Sequence, residues 1–393
     1  MMESQIKMSR IQKAALWVVA VAVFTDMLIY GMIVPIIPSY AKTLGATQAE
    51  IGFLFGSYAI TLLLATPILG VLSDKVGRRL PMILGLFGLA AATLLFGFAN
   101  NFWLLVLARM LQGISAAATW TAGLALLADV FPLQERGKAM GIALSSQAIG
   151  MLLGPTIGGF LYQWGGYHLP FIFAAGIALI DGILRITLLH DEPKQDTDQR
   201  ISYRSILKMH SLFMIIGIII IGSALPSALE PTLPLYLHNV LNASSGTIGL
   251  LFAVPTLAYG FTAPVIGTLS NKLGRNQTMI IGLIIAALCF PFTTLAPNMI
   301  TEIIVLAVLG ISFSFLLAPA LPELTYIADK NGIRAYGTLF AIYNTAYSIG
   351  MFCGPTLSGS LSDLFGLTNT LYIFSLILLC YLGLYFWKTK KQA

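Results

Sequence analysis

Long apolar runs, separated by short polar connections, recur along the whole chain. Twelve can be counted, at residues 14–40, 49–72, 80–98, 102–128, 138–163, 167–190, 209–239, 246–270, 277–296, 300–328, 335–362 and 367–387. A hydrocarbon core about 30 Å thick is crossed by roughly 20 apolar helical residues, so each run is long enough to span a membrane. The pattern predicts an all-α polytopic membrane protein with twelve transmembrane helices.

The composition excludes a soluble protein. Of the 393 residues, 57% are hydrophobic and 10% are charged, and the mean hydropathy is +0.86. The three cysteines lie within apolar runs and the four histidines at run ends or in loops, so their spacing predicts no metal site. The chain lacks the H-E-x-x-H, G-x-S-x-G and phosphate-loop motifs. It also lacks a soluble domain for signalling, so a membrane enzyme or sensor is disfavoured.

Basic residues fall almost entirely on one side of the predicted membrane. With a cytoplasmic N-terminus, 19 of the 22 Lys and Arg residues lie in cytoplasmic segments, Lys42 lies outside, and Arg109 and Arg185 lie within spans. Cytoplasmic loops of helical membrane proteins carry such an excess. We therefore expect both termini in the cytoplasm. The first run is too long for a signal peptide and is expected to remain as a span.

The chain repeats one six-span plan. A polar stretch, residues 191–208, separates the spans of residues 1–190 from those of residues 209–393. Matching segments recur about 200 residues apart: GVLSDKVGRR at 70–79 and GTLSNKLGRN at 267–276, VPIIPSY at 34–40 and EPTLPLY at 230–236, IGMLLGPTIGG at 149–159 and IGMFCGPTLSG at 349–359. Parallel repeats place a transport site near the membrane midplane, so we expect two six-helix bundles joined by a cytoplasmic linker.

Four acidic residues interrupt the apolar runs, where a charge is costly unless it faces a cavity or a partner. Asp181 and Arg185 stand at i and i+4 and are expected to form a structural pair. Asp26 and Glu230 have no basic residue within helical reach on their own spans. Such an acid binds either a proton or an organic cation, and this exclusion is the basis of antiport. The alternative is that Asp26 pairs silently with a hydroxyl or a neighbouring helix.

Aromatic side chains on the central spans extend this candidate cation site, because ammonium groups bind the faces of aromatic rings. The candidates are Tyr30, Tyr58, Trp120, Tyr259, Phe315, Tyr343 and Tyr347. Aromatic residues at helical spacing also pack against neighbouring helices, so ordinary packing is the alternative for each of them.

Three motifs of the first half resemble those of the major facilitator superfamily. G-x-x-x-D-K-x-G-R-R at 70–79 resembles the signature between its second and third spans. L-x-x-x-R-x-x-Q-G at 105–113 resembles the span-four motif of proton-coupled members, and G-x-x-x-G-P-x-x-G-G at 150–159 resembles the span-five motif of drug–proton antiporters. The resemblance implies a twelve-helix carrier driven by the proton motive force, without a cofactor.

A narrower resemblance, to the vesicular monoamine transporters, covers nearly the whole chain. It rests on DMLIYGMIVPIIPSY at 26–40, ERGKAMGIAL at 135–144, LIDG at 179–182 and ALEPTLPLY at 228–236. In that family the acids at the positions of Asp26 and Glu230 are implicated in amine recognition. The family's long outer loop is replaced by residues 41–48, which favours a bacterial relative in a plasma membrane.

Three charges of that family are absent. Tyr58 stands at the position of its span-two lysine, Leu317 at its span-ten aspartate and Asn344 at its span-eleven aspartate. The family's proton stoichiometry therefore cannot be carried over. Glu323 follows Leu317 by six residues, and either replaces the lost acid or belongs to a network at the cytoplasmic end.

The 70–79 loop is expected to control conformational change. Gly77 permits a backbone conformation that other residues avoid, and Asp74 is expected to accept from Arg78 or from a helix N-terminus. Asp129, which recurs as Asp329, is assigned to the same conformational motif as Asp74, Gly77 and Arg78. A positive-inside loop with no latch is the alternative, and Asn271 in place of an acid predicts a weaker latch in the second half.

Two further features of the first half have both a functional and a structural interpretation. Gly150, Gly154 and Gly158 form a smooth stripe for close helix packing, and Pro155 should bend the span. Gating and static packing both account for the stripe. Arg109 is always charged and needs an acceptor, so it either tunes a proton-binding carboxylate or is structural.

The combined interpretation is a proton-coupled antiporter that exports cationic amphiphilic amines by alternating access. Its expected partners are a small organic cation, protons and the lipid bilayer, with no nucleic acid, and it is expected to be monomeric. Asp26 and Glu230 are expected to bind the amine and the proton. The rival is a transporter of a neutral metabolite, in which the same acids carry only protons.

Overall fold

Every regular element in the computed structural model, which describes residues 8–189, 210–330 and 336–392, is helical. The first half consists of α1 (Arg10–Met32), α2 (Ile37–Thr43), α3 (Gln48–Val76), α4 (Arg79–Phe98), α5 (Phe102–Val130), α6 (Leu133–Gly165) and α7 (His168–Leu188). The second half consists of α8 (His210–Leu229), α9 (Leu233–Leu241), α10 (Ser245–Leu273), α11 (Arg275–Cys289), a 3-10 helix (Phe290–Thr294), α12 (Met299–Leu317), α13 (Ala320–Lys330), α14 (Tyr336–Phe365) and α15 (Leu367–Gln392). The predicted linker, residues 191–208, lies outside the described residues.

The predicted spans are present, but several are interrupted. Eleven helices or helix pairs among the described residues are long and apolar enough to cross a membrane, and α14 stands at the position of the remaining span. Breaks separate α1 from α2, α8 from α9 and α12 from α13, near Pro35, Pro231 and Pro319 respectively. Proline lacks the backbone donor that continues a helix, so each apolar run divides there. Glu230 falls directly in the second of these breaks.

Each half packs in the same way. The main contact of α6 within the first half is with α1, and that of α14 within the second half is with α8. A Cβ on Gly150 would lie 2.5 Å from the carbonyl oxygen of Phe24, and one on Gly154 would lie 2.6 Å from that of Leu28. The predicted close packing along the glycine stripe is therefore confirmed, and its partner is α1.

Two helix crossings, α6 with α10 and α3 with α14, join the halves. At the end where α3 begins, the backbone N–H groups of Gln48 and Ala49 donate to Asp363, at 2.9 and 2.7 Å. At the matching place, the N–H of Gly246 donates to Oε1 of Gln163 at 3.3 Å. We call this the closed end, and the end that carries Arg78 and Arg275 the basic end. Within the described ranges, no ion pair joins the two halves.

Candidate functional site

Asp26 lies in the middle of α1 and is 1% exposed. Its Oδ2 accepts a hydrogen bond from Nε1 of Trp120 on α5, at 3.1 Å. No Lys or Arg of the described chain lies within 4.0 Å of its carboxylate. The partner is thus a neutral donor, the indole of a neighbouring helix in the same half, as in the alternative in which Asp26 pairs with a neighbouring helix.

Glu230 lies in the break between α8 and α9 and is 5% exposed. Its two carboxylate oxygens accept from the hydroxyl of Tyr30, at 2.9 and 3.1 Å. Tyr30 belongs to α1, one turn after Asp26, so this bond connects the two halves. Like Asp26, Glu230 has a neutral donor and no described ion pair.

Arg109 is completely buried next to these residues. One of its hydrogen bonds is to Oε1 of Gln112, at 2.7 Å, while its Nε and Nη2 have no partner among the described residues. Its guanidinium carbon lies 4.3 Å from the ring centre of Tyr30, 4.9 Å from that of Tyr58 and 5.2 Å from that of Phe55. Three ring faces and one amide oxygen therefore surround the cation, and no carboxylate among the described residues lies within ion-pair distance of it.

Aromatic rings from both halves approach the carboxylates. The rings of Tyr30 and Tyr58 meet edge to face at 4.8 Å. On α14, Tyr343 stacks with Tyr347 at 6.2 Å and with Phe340 at 6.5 Å. Such faces and the two carboxylates provide what an organic cation needs, namely negative charge and polarisable contact surface.

At the basic end, Arg78 joins two acids. It donates to Asp74 at 2.6 Å and to Asp129 at 2.8 Å. Gly77 has φ +90°, a conformation that favours glycine. The predicted pairing of Asp74 with Arg78 is thus confirmed, and Asp129 belongs to the same group.

Comparison with known proteins gives the family. The profile of the Major Facilitator Superfamily matches residues 19–244 and 212–393. The chain belongs to this superfamily. It is therefore a membrane transporter and not an enzyme, and transporters of this type need no cofactor.

The relatives of this superfamily member include vesicular amine carriers. The chain is 32% identical to the chromaffin granule amine transporter of Rattus norvegicus over 339 residues, 85% of this chain and 64% of that protein. It is 31% identical to the probable vesicular acetylcholine transporter-B of Danio rerio over 397 residues, 94% of this chain and 80% of that protein. A solved bacterial homologue of the human lysosomal transporter Spinster, described as inward-facing and unoccupied, superposes with TM-score 0.85 at 15% identity, covering 97% of each chain. That likeness shows the fold.

Some of the residues predicted for the site lie elsewhere in the transporter. Glu323 pairs with Arg275 at 3.4 Å, so the geometry favours its network interpretation at the basic end. Phe315 packs against Gly282 of α11 and makes no ring contact with the described tyrosines, as in the packing alternative. Asn344 is exposed and has no hydrogen bond to a described residue. Tyr259, in contrast, lies near the α14 tyrosines: it packs against the same second-half core as Tyr343 and Tyr347 and interacts electrostatically with both.

One buried acid escaped the sequence analysis. Glu302, in the first turn of α12, is 0% exposed, and neither carboxylate oxygen has a partner among the described residues. In the sequence it stands at the start of an apolar run, where an acid normally faces water and the helix N-terminus. No local signal distinguishes it from such a residue. Its burial depends on how α12 packs.

Proposed function

We propose that this transporter is a proton-coupled antiporter that exports cationic amphiphilic amines. One observation carries the proposal: each half contributes one buried carboxylate to the centre, and each carboxylate is held by a neutral donor. A carboxylate held by an arginine would be neutralised permanently. Asp26 and Glu230 instead keep their negative charge available to a proton or to an ammonium group.

The two cargoes exclude each other at such an acid. A proton bound to Glu230 removes the charge that attracts an amine, and a bound amine favours the ionised form. The rings of Tyr343 and Tyr347 offer faces to the apolar part of the amine. Alternation between these two loaded forms exchanges protons for amines without any covalent step.

The direction of transport rests on the distribution of charge. The basic end carries most of the Lys and Arg residues of the loops, which supports a cytoplasmic location for that end and for both termini. The halves contact each other at the opposite end, which supports access to the site from the basic end when the halves separate there. The proposed location is a plasma membrane of bacterial type, and the transporter is proposed to act as a monomer. The similarity to a chromaffin granule amine transporter and to a probable vesicular acetylcholine transporter supports an amine as cargo.

The test uses purified protein in liposomes with an imposed pH gradient and tetraphenylphosphonium, a permanent organic cation, as probe. Wild type should accumulate the cation at the expense of the gradient, and Asp26→Asn and Glu230→Gln should each abolish this exchange. Glu302→Gln, which changes a buried acid outside the site, is the matched control and should exchange normally.

Two results would count against this function. Normal exchange by the Asp26→Asn, Glu230→Gln double variant would remove the proposed role of the acids. Proton-driven uptake of a neutral sugar, without uptake of the cation, would support the rival in which these acids carry only protons.

A further inference from the structure

We infer that Tyr30 is the coupling residue that links the charge of Glu230 to the contact between the two halves. This inference rests on the proposed function, because it assumes that Glu230 binds the transported cation or proton. Tyr30 is a positioning residue: it acts through Glu230 and Arg109.

The Tyr30 hydroxyl makes an unusual contact between the halves. The other described hydrogen bonds between the halves involve a backbone group, as in the bonds of Gln48, Ala49 and Gly246. The bond from Tyr30 to Glu230 joins two buried side chains at the centre of the chain's fold. The other titratable acceptor between the halves, Asp363, is exposed. The bond to Glu230 is therefore the described interhalf contact in which a buried titratable group accepts from a side chain.

The ring of Tyr30 contacts a charge on its other side. Arg109 lies 4.3 Å from the ring centre and keeps two buried N–H groups without described partners. Buried donors of a guanidinium are rarely left unpaired, so Arg109 is poised to bind an acceptor that becomes available. Tyr30 stands between this cation and the Glu230 carboxylate, with its face toward one and its hydroxyl toward the other.

The charge on Glu230 sets the strength of this contact. A hydrogen bond to an ionised carboxylate is about twice as strong as one to a neutral acid. The empty, ionised form of Glu230 therefore holds Tyr30 and the first half firmly. A bound proton or ammonium group neutralises the carboxylate and weakens the bond. An empty carrier is thus kept from changing state, whereas a carrier loaded with either cargo is released.

Comparison of the two repeats shows that the Tyr30–Glu230 pair has no counterpart at the equivalent sequence positions. Aligning VPIIPSY at 34–40 with EPTLPLY at 230–236 places Pro226 at the position of Tyr30, and Val34 at that of Glu230. The second half therefore offers no hydroxyl in return, and the first half offers no second acid. Among the described contacts, the bond from Tyr30 is the one that connects the Glu230 carboxylate directly to the other half.

The experiment compares Tyr30→Phe with Tyr381→Phe in liposomes. Tyr30→Phe keeps the ring over Arg109 and removes the hydroxyl, while Tyr381→Phe removes a hydroxyl that donates to the Met214 carbonyl within one half. Without any cation present, Tyr30→Phe should dissipate an imposed pH gradient roughly tenfold faster or more, as expected when a charged hydrogen bond is lost. Tyr381→Phe should match wild type. Equal leak rates in the two variants would overturn the inference.

Infrared difference spectroscopy across a pH titration provides a second readout that requires no amine. The C=O band of protonated Glu230, identified by its loss in Glu230→Gln, should move to higher frequency in Tyr30→Phe, because a donor to the acid is lost. An unchanged band would show that Tyr30 does not bond Glu230. If wild type fails to transport tetraphenylphosphonium while the leak and the band still respond, the proposed cargo is wrong and the role of Tyr30 stands.

Discussion

Two equivalent helices, α7 and α15, bury polar side chains with different chemistry. Their buried positions match at an offset of 200 residues, for example Pro170 with Thr370 and Phe171 with Leu371. At the next buried turns, α7 carries Asp181 and Arg185, joined at 2.6 and 3.0 Å and both completely buried. In α15 the same positions hold two tyrosines, the half-buried Tyr381 and the buried Tyr385, which donate to the Met214 carbonyl and to Asn276.

The same contrast is present at the basic end of each half. Arg78 has two acidic partners. Among the described side chains, its counterpart Arg275 has one ion pair, to Glu323 at 3.4 Å, and lies over the ring of Tyr326. The first half is thus held by opposed charges, and the second half more by neutral groups. A repeated fold does not impose repeated electrostatics. Single substitutions should therefore have unequal costs at equivalent positions.

The largest difference is expected for the buried pair of α7. Arg185→Met leaves the Asp181 carboxylate unpaired in an apolar interior, which should lower the free energy of unfolding by about 3–5 kcal/mol. Tyr381→Phe removes one hydroxyl bond and should cost about 1 kcal/mol. Thermal unfolding of the purified proteins in detergent measures both changes.

The double variant Asp181→Leu, Arg185→Met provides the control. Removing both charges removes the unpaired acid, so most of the lost stability should return. If the double variant is as unstable as Arg185→Met, then the shape of the arginine, rather than its charge, supports α7.

This pair was predictable because its partners are four residues apart on one helix. The number of spans and the close packing at Gly150 were predictable for the same reason, since both follow from local periodicity. The bond from Tyr30 to Glu230 was not, because its partners lie 200 residues apart and meet only when two halves assemble. The burial of Glu302 likewise depends on tertiary packing, which the pattern of a single run does not contain.

The next largest effect is expected for substitutions at the helix crossings of the closed end. A Cβ on Gly159 would collide with the carbonyl oxygen of Ser245 on α10, whereas one on Gly141, in the same helix, would meet nothing within 4 Å. Gly159→Ala should therefore oppose closure by about 1–3 kcal/mol, and Gly141→Ala should have no such effect. We expect the population open at this end to rise roughly tenfold.

Accessibility of a cysteine measures that opening. A cysteine placed at Thr156, in a background without the native cysteines, lies where the hydroxyl now donates to the Gly249 carbonyl. Labelling by a membrane-impermeant maleimide from the closed end should be faster in Gly159→Ala than in Gly141→Ala. Equal rates would show that the crossing can separate slightly without opening the site.

The smallest effect is expected at the two side chains that cap helices at the closed end. Asp363 caps the N-terminus of α3, and Gln163 caps the N-terminus of α10. The carboxylate accepts two backbone N–H groups and complements the positive end of the helix, whereas the amide accepts a single bond at 3.3 Å. Asp363→Asn should therefore weaken closure by only about 0.3–1 kcal/mol, because Asp363 is exposed and its charge is screened.

The reverse change sharpens this comparison. Gln163→Glu supplies the missing charge at the second crossing and should slow cysteine labelling from the closed end, while Asp363→Asn should accelerate it. Raising the salt concentration should reduce both effects, since exposed charges are screened, but it should leave the effect of Gly159→Ala unchanged because a steric clash does not depend on ionic strength. A salt-independent response of Asp363→Asn would show that its hydrogen-bond geometry, rather than its charge, holds α3 and α14 together.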